Sequence, residues 1–295
     1  MAAYTTTELL TAIERQSFSP VNQSTFSTTD ILSLADEVIK SHILPAILAT
    51  REEYYISYYD HSLVSGTTAY AIPPRAVGML AREIQYIDSA GNITNLTRVS
   101  VDRLHLISPV TTSAQPEAFY LRGDDVVVLP TPSASSGSLR IYFAVRPGDL
   151  IAAASGAVIS AINTSTNIVT VSSIPSTWAT ADVFDLVQRN GSQRYLSLDL
   201  TSTLVSGSAI TLPSLPSALA IGDYVSPASY SPLVQMPPDF RPVLATLVAA
   251  EMLLSMNQPS GEKMFAKGIR NLEIATKMIT PRVIGEDEVI TPDWS

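Results

Sequence analysis

Side chains able to do nucleophilic, acid–base or metal chemistry are sparse in this sequence. A hydrolytic triad needs a nucleophile, a base and an orienting acid, and the histidines are only three: His42, His61 and His105. No two lie close enough along the chain to form a metal motif. There is no cysteine, which excludes thiolate zinc sites, disulfides and cysteine nucleophiles. His42 falls on the apolar stripe of a helical segment, where a core or interface histidine is expected. No G-x-S-x-G elbow, Walker A loop or G-x-G-x-x-G is present. The adjacent carboxylates Asp124-Asp125 follow Gly123 and read as turn chemistry. Neighbours on one strand point to opposite faces, whereas a glycosidase needs separated carboxylates across an aromatic-lined cleft. No catalytic, cofactor-binding or metal-binding residue is assigned, no cofactor is expected, and the chain is expected not to be an enzyme.

Two charged features remain. Lys263, Lys267, Arg270 and Lys277 recur at spacings of four, three and seven, which places them on one side of a helix, and Lys40 is the only other lysine. This stripe faces an acidic partner or DNA, or is a solvated face on which Glu273 and Lys277 pair at i, i+4. The last segment, Arg282–Ser295, carries Glu286, Asp287 and Glu288, has little periodicity, and contains Trp294. Such a segment is either plain disorder or orders on a partner with the indole as anchor.

The elements that would position these groups are helices at both ends and strands between. Thr5-Thr6-Thr7-Glu8 is a capping-box pattern before Leu9, Leu10 and Ile13. Ser27-Thr28-Thr29-Asp30 opens a second helix with an apolar stripe from Ile31 to Ile47. Pro45 should kink it, and Tyr54, Tyr55, Tyr58 and Tyr59 should close it. Strands are predicted at Met79–Ile87 and Ile93–Val99, joined by a turn at Asp88–Asn92, then at Phe119–Arg122, Val126–Pro130 and Leu139–Val145. A Ser/Thr/Ala-rich stretch follows, with strands at Val158–Ile162, Ile168–Val171, Asp182–Gln188, Arg194–Leu200 and Ala209–Leu212. It reads as a β module placed between the first β region and the last helices. Asp239 after Pro237-Pro238 is the expected cap of the next helix, Val243–Met256 is apolar nearly all round, and Glu262–Thr280 carries an apolar face of Phe265, Ile269, Leu272, Ala275 and Ile279.

Composition agrees with a folded, non-membrane chain. Of 295 residues 46% are hydrophobic and 15% charged, with a net charge of −9. Such an acidic chain is not expected to coat DNA by neutralising phosphates, although a negative wall suits a passage through which DNA slides. The apolar run Val243–Leu254 contains Glu251 and is too short to span a bilayer, and Met1–Arg15 has no secretory pattern.

The order of several short motifs resembles tailed-bacteriophage head-to-tail adaptor proteins, also called connector or upper tail-tube proteins. The motifs are Tyr54–Asp60, Tyr70-Ala71-Ile72-Pro73, Ala118-Phe119-Tyr120-Leu121-Arg122-Gly123-Asp124, Val128-Leu129-Pro130-Thr131-Pro132, Arg140-Ile141-Tyr142-Phe143 and Pro147-Gly148-Asp149-Leu150. Thr280-Pro281-Arg282-Val283 adds to them, so the resemblance covers roughly Thr5–Leu150 and Met236–Ser295. It implies an α+β fold in which a helical bundle from both chain ends carries an antiparallel β region, here with an inserted small all-β module, barrel- or sandwich-like. The segments would be 1–62 (N-terminal helices), 63–150 (β region), 151–235 (inserted module), 236–281 (helix pair completing the bundle) and 282–295 (extended tail). It further implies a structural protein of the virion neck: a homo-oligomeric ring, typically of twelve subunits, between the portal protein and the tail or nozzle proteins. DNA would pass through its channel during genome ejection without specific binding. The segment Arg282–Ser295 would contact the portal, through Arg282, Val283, Ile284, Val289, Ile290 and Trp294. The helix pair around Val243–Met256 would pack the ring, with acidic residues lining the bore. The competing reading is a carbohydrate-binding or adhesive tail-fibre or surface module, which the Ser/Thr-rich strands and tyrosines favour and the helices at both ends do not explain.

Overall fold

A computed structural model of the chain describes residues 3–18, 26–106, 112–113 and 115–280. Helices come first: α1 (Thr6–Ser17), α2 (Thr28–Val38) and α3 (Leu44–Thr50). Ten strands follow: β1 (Ile56–Ser62), β2 (Ala69–Ala71), β3 (Ala76–Ile87), β4 (Ile93–Asn95), β5 (Thr97–Arg98), β6 (Thr112–Ser113), β7 (Ala118–Arg122), β8 (Asp125–Leu129), β9 (Thr131–Pro132) and β10 (Ser138–Val145). Nine more are β11 (Asp149–Leu150), β12 (Ala157–Asn163), β13 (Ile168–Val171), β14 (Val183–Val187), β15 (Tyr195–Thr201), β16 (Leu204–Ser206), β17 (Ala209–Thr211), β18 (Tyr224–Pro227) and β19 (Tyr230–Ser231). Helices α4 (Arg241–Ser255) and α5 (Ser260–Ile279) close the series. The fold is mixed α+β. It divides into two compact units: the described residues of Met1–Arg51 and Pro147–Ser295, and Glu52–Arg146.

In the unit 52–146, β10 runs between β1 and β3 in a four-stranded sheet, β1-β10-β3-β4, and a second four-stranded sheet has the order β2-β8-β7-β5. Strand β10 alternates perfectly: Leu139, Ile141, Phe143 and Val145 are buried while Ser138, Arg140, Tyr142 and Ala144 are half-buried. Opposite Arg140 stands Asp60 of β1, and the guanidinium donates to both carboxylate oxygens at 2.7 Å while lying 4.1 Å over the Tyr58 ring. Tyr58 and Tyr59 therefore belong to a strand, not to the end of a helix as expected; the run Ile-Ser-Tyr-Tyr has the β-branched and aromatic character that a pleated sheet selects. The expected hairpin at Asp88–Asn92 is present, with Asp88 Oδ1 accepting the amides of Ala90 and Asn92 at 2.8 Å. Gly137 before β10 has φ +81, and a Cβ there would sit 2.3 Å from the Ile87 carbonyl oxygen, so only glycine fits.

In the other unit, Thr5 and Ser27 cap α1 and α2 in capping boxes with Glu8 and Asp30, as their spacing predicts. Between α2 and α3 the chain forms a π-turn over Ile39–Ile43, and Leu44 N–H bonds Ile39 O. Pro45 has no amide to continue an α ladder, and the wider turn takes up the mismatch. Helix α4 packs against α1, α2 and α5. Eight consecutive residues, Val243–Ala250, are buried, as its all-round apolar sequence requires. Its start differs from expectation. Asp239 makes no cap; a 3₁₀ turn at Pro238–Phe240 leads into Arg241, with Phe240 at the cap position and Pro242 just inside.

Helix α5 meets α4 through glycines. A Cβ on Gly268 would lie 2.5 Å from Leu247 Cδ2, and one on Gly261 2.8 Å from the Leu254 amide nitrogen. The buried side of α5 is Gly261, Gly268, Leu272 and Ala275, while Phe265, Ile269 and Ile279 are only half-buried. The expected apolar face is thus rotated toward its smallest residues, because close approach of two backbones contributes more contact than one protruding ring. Gly268→Val is expected to lower unfolding free energy by roughly 2–4 kcal/mol and Gly268→Ala by less, since alanine recovers helix propensity. Urea titration followed by circular dichroism reads both.

The seven-stranded sheet runs β15-β14-β18-β12-β13-β17-β16. Strand β12 is shared: Ala157 and Val158 pair with β18, and Ile159–Asn163 with β13 across a bulge. Both halves bury one core that includes Ile159, Val169, Phe184, Leu186, Ile210 and Val225. The strands do not close into a barrel.

The stretch Pro147–Ile151 fixes the start of this part of the chain. Gly148 N–H donates to Gln235 Oε1 at 2.7 Å, Asp149 pairs with Lys40 at 2.7 Å, and Leu150 N–H lies 2.9 and 3.0 Å from the Asp36 carboxylate oxygens. Burial pushes the Asp36 carboxyl up to about 7, against the opposing pull of the Leu150 N–H. With a folded value above the unfolded one near 4, folding takes up a proton between about pH 4 and 7. This contribution to stability is therefore full below pH 4 and lost as pH rises through 7. Asp36→Asn keeps an acceptor for Leu150 and removes the charge. It is expected to match wild type near pH 4 and to be more stable by roughly 2 kcal/mol at pH 8, allowing for partial solvent contact. Unfolding midpoints across that range are the check; a constant gap would refute it.

Candidate interaction surface

Among the described residues no group of three or more His, Asp or Glu converges as a metal site does, and no helix is long and apolar enough to cross a membrane. His42 is half-buried and packs edge-on to Phe265 at 5.8 Å between ring centres, a packing role. His61 Nε2 lies 2.8 Å from the Ala71 carbonyl oxygen, with Tyr59 and Tyr70 flanking the ring. The His105 side chain lies outside the described residues. Gly123 and Asp124 form the β7–β8 hairpin turn, Gly123 at φ +60, and Arg122 and Asp125 pair across it. Trp178, in a shallow groove with Asp182 and Pro227, tilts against Phe184 at 4.7 Å. One face of the indole is thereby committed to the core rather than offered to a sugar.

The charged stripe does assemble. Helix α5 begins after Asn257, whose φ of +53 breaks the chain out of α4, and the glycine side locks one face of α5 to α4. That fixes the opposite face outward. Lys263, Lys267, Arg270 and Lys277 are all exposed on it, with the exposed side chains of Ile274 and Met278 among them. At 100° per residue these six positions fall within about one third of the helix circumference, while Glu262 and Glu273 sit to one flank. The Glu273–Lys277 pair offered by the spacing is not formed, and among the described residues no ion pair reaches any of the four cations. The result is a cationic ridge about 20 Å long with apolar patches, on a chain of net charge −9.

Two other expectations fare differently. Arg282, Val283, Ile284, Val289, Ile290 and Trp294 lie outside the described residues. Helix α4, assigned to ring packing, is already covered within its own unit: Leu244, Leu247 and Val248 have no solvent exposure, so its apolar surface is spent on the intramolecular core. Sequence periodicity shows that such a helix is buried but not by which molecule. Sequence patterning does not mark the half-buried carboxylate Asp36 or the buried Asp185, whose partners are backbone amides remote in sequence.

The comparisons with known proteins fit these observations. No curated protein matches the chain. Among protein families, SU10 adaptor protein matches residues 4–183. The match takes in α1–α3, the whole unit 52–146, and the chain as far as the start of β14. It extends past Leu150 into the stretch read as an inserted module, and does not reach Met236–Ser295. Covering more than half of the sequence, this match means that the chain belongs to the SU10 adaptor protein family of phage structural adaptors.

Proposed function

We propose that this protein forms a ring, of about a dozen copies, that joins the portal to the tail in the virion neck and surrounds the DNA exit channel. Its role is structural and involves no catalysis. The observation that carries the reading is the family match over residues 4–183, which takes in the whole unit 52–146 and part of the other. Net acidity supports it: a charge of −9 disfavours retention of a moving phosphate backbone. The helices at both chain ends, packed on one another in one unit, argue against a fibre or carbohydrate-binding module. Because α4 is enclosed, contacts between copies fall to exposed surfaces such as the outer face of the β1–β10–β3 sheet, where Tyr58 is half exposed. The segment Arg282–Ser295 is assigned to the portal, with Trp294 as anchor.

Electron microscopy of assembled particles tests this directly. A closed ring of this chain between portal and tail is expected; a free trimer on fibres would overturn it. Deleting Arg282–Ser295 is expected to weaken binding to the purified portal at least tenfold, measured by co-sedimentation, and unchanged binding would refute the portal assignment.

A further inference from the structure

We infer that the β1-β10-β3-β4 sheet continues from one copy of this chain into the next. Strand β4 of one copy pairs antiparallel with β1 of its neighbour, Ile93 opposite Tyr58 and Asn95 opposite Ile56. This rests on the ring proposed above and names the surface that closes it.

Both edges of the sheet stand open among the described residues. On one side, Leu63 N–H donates to the Gly137 oxygen at 3.1 Å and the β1–β10 register runs without a shift, so Ser57, Tyr59 and His61 bond β10. The backbone groups of Ile56, Tyr58, Asp60 and Ser62 therefore turn outward. On the other side, Leu96 N–H donates to the Ile84 oxygen at 2.9 Å, so Thr94 bonds β3 while Ile93 and Asn95 turn outward. Folded proteins blunt such edges with proline, lysine or a bulge. Strand β15, which ends the seven-stranded sheet, has its bulge at Asp199. Strand β1 has no proline, lysine or bulge, its one carboxylate is held by Arg140, and β4 is uncharged. Tyr58, Tyr59 and Ile93, on the two edges, are 53%, 49% and 57% exposed.

Direction and register select the partner. Each of the four strands runs antiparallel to the next, so β4 runs opposite to β1. A neighbour brought alongside by a ring rotation thus presents β1 antiparallel to β4. The row Asp60, Arg140, Gln85, Asn95 crosses the sheet directly, so the outward-turned residues of both edges carry their side chains on one face, as a continuous sheet requires. From Thr97 onward the outer side belongs to β7, because Thr97 N–H donates to the Glu117 oxygen at 3.1 Å. A second copy can therefore bond only at 93–95, and its β1 must begin there, with Ile56 at Asn95 and Tyr58 at Ile93. Each pair exchanges both its backbone hydrogen bonds, and Ile93 lies beside the tyrosine ring. Arg98, exposed and without an ion pair among the described residues, comes level with Glu52 and Glu53 of the next copy, which share Arg82 within their own.

In this register Thr94 faces Ser57 of the next copy at a non-hydrogen-bonded position, with Cα atoms about 4.5 Å apart, within reach of a disulfide. The chain has no cysteine of its own. Particles assembled from the S57C/T94C chain and oxidised are expected to give a ladder of covalent multimers on a denaturing gel, and S57C or T94C alone none. Adding Tyr58→Pro removes an outward N–H and leaves the β1–β10 bonds in place. It should lower the multimer yield about tenfold while the circular dichroism of the chain is unchanged. The S57C/T94C ladder decides the matter even where the proline variant unfolds. A ring in micrographs with no ladder would overturn the inference and leave the ring standing; neither ring nor ladder would overturn both. Covalent dimers from S57C alone would show β1 paired with β1, a closed twofold contact, and would also overturn it, as would an undiminished ladder in a folded proline variant.

Discussion

Replacement of Asp185 by alanine is expected to lower the free energy of unfolding by roughly 3–5 kcal/mol. The side chain is fully buried in β14, and its two oxygens accept the amides of Asp199 at 2.9 Å and Ser229 at 3.0 Å. Both donors belong to residues in the left-handed region, Asp199 at φ +53 and Ser229 at φ +71. Their N–H groups therefore point away from the regular ladder. At Asp199 the cause is visible in the register: Phe184 faces Leu200 and Leu186 faces Ser197, so two residues of β15 bulge opposite Asp185. The carboxylate satisfies what the bulge leaves open. Alanine would strand two buried donors at about 1–3 kcal/mol each, and Asp185→Asn would retain one oxygen and turn its amide on the other donor. Calorimetry of the three proteins should rank wild type above asparagine above alanine. An alanine variant within 1 kcal/mol of wild type would mean that the two amides find other partners.

Gly148→Val is expected to cost a comparable amount, about 3–5 kcal/mol, and to lower the yield of soluble protein. A Cβ at this position would fall 2.6 Å from the Tyr195 hydroxyl, 2.9 Å from the Tyr230 carbonyl carbon and 3.1 Å from Ser231 Cβ. The Tyr230 atom is backbone and cannot rotate aside. Relief would require separating β11 from β19, and with them the Asp149–Lys40 and Leu150–Asp36 contacts. Thermal unfolding should show the loss, and Gly148→Ala an intermediate one. The motif Pro147-Gly148-Asp149-Leu150 thus has a physical reason: a close crossing, a cation for its aspartate and an acceptor for its leucine amide.

What could be read from the residues alone follows the range of the forces involved. The capping boxes at Thr5 and Ser27, the turn at Asp88–Asn92 and the stripe on α5 are settled by neighbours within a few positions, and each stands where its spacing puts it. Strand β18 was not anticipated. It is short, follows Gly222 with φ +96, and owes its conformation to β14 and β12 pairing on its two sides. Tyr58 and Tyr59 were misassigned because a tyrosine run at the end of a helical stripe carries no period that separates helix from strand. Asp36 lies 114 positions from the amide it accepts, so nothing local marks it. The ridge was legible as a stripe, but that its opposite side is glycine packed on Leu247 and Leu254 emerged only from the fold.

The division of the chain bears on the order in which it is made. Helices α1 and α2 leave the ribosome early, but α4, which covers them, is encoded after everything from 52 to 240. Through that interval Leu9, Ile13, Ile31 and Ala35 lack the partner that shields them in the finished molecule. The contiguous stretch 52–146 has no such wait and can collapse as soon as it emerges. Closure of the helical layer is then a late, long-range event with a high loop-closure cost. A nascent chain halted short of Arg241 would therefore present an unfinished apolar surface to chaperones and proteases until α4 is delivered.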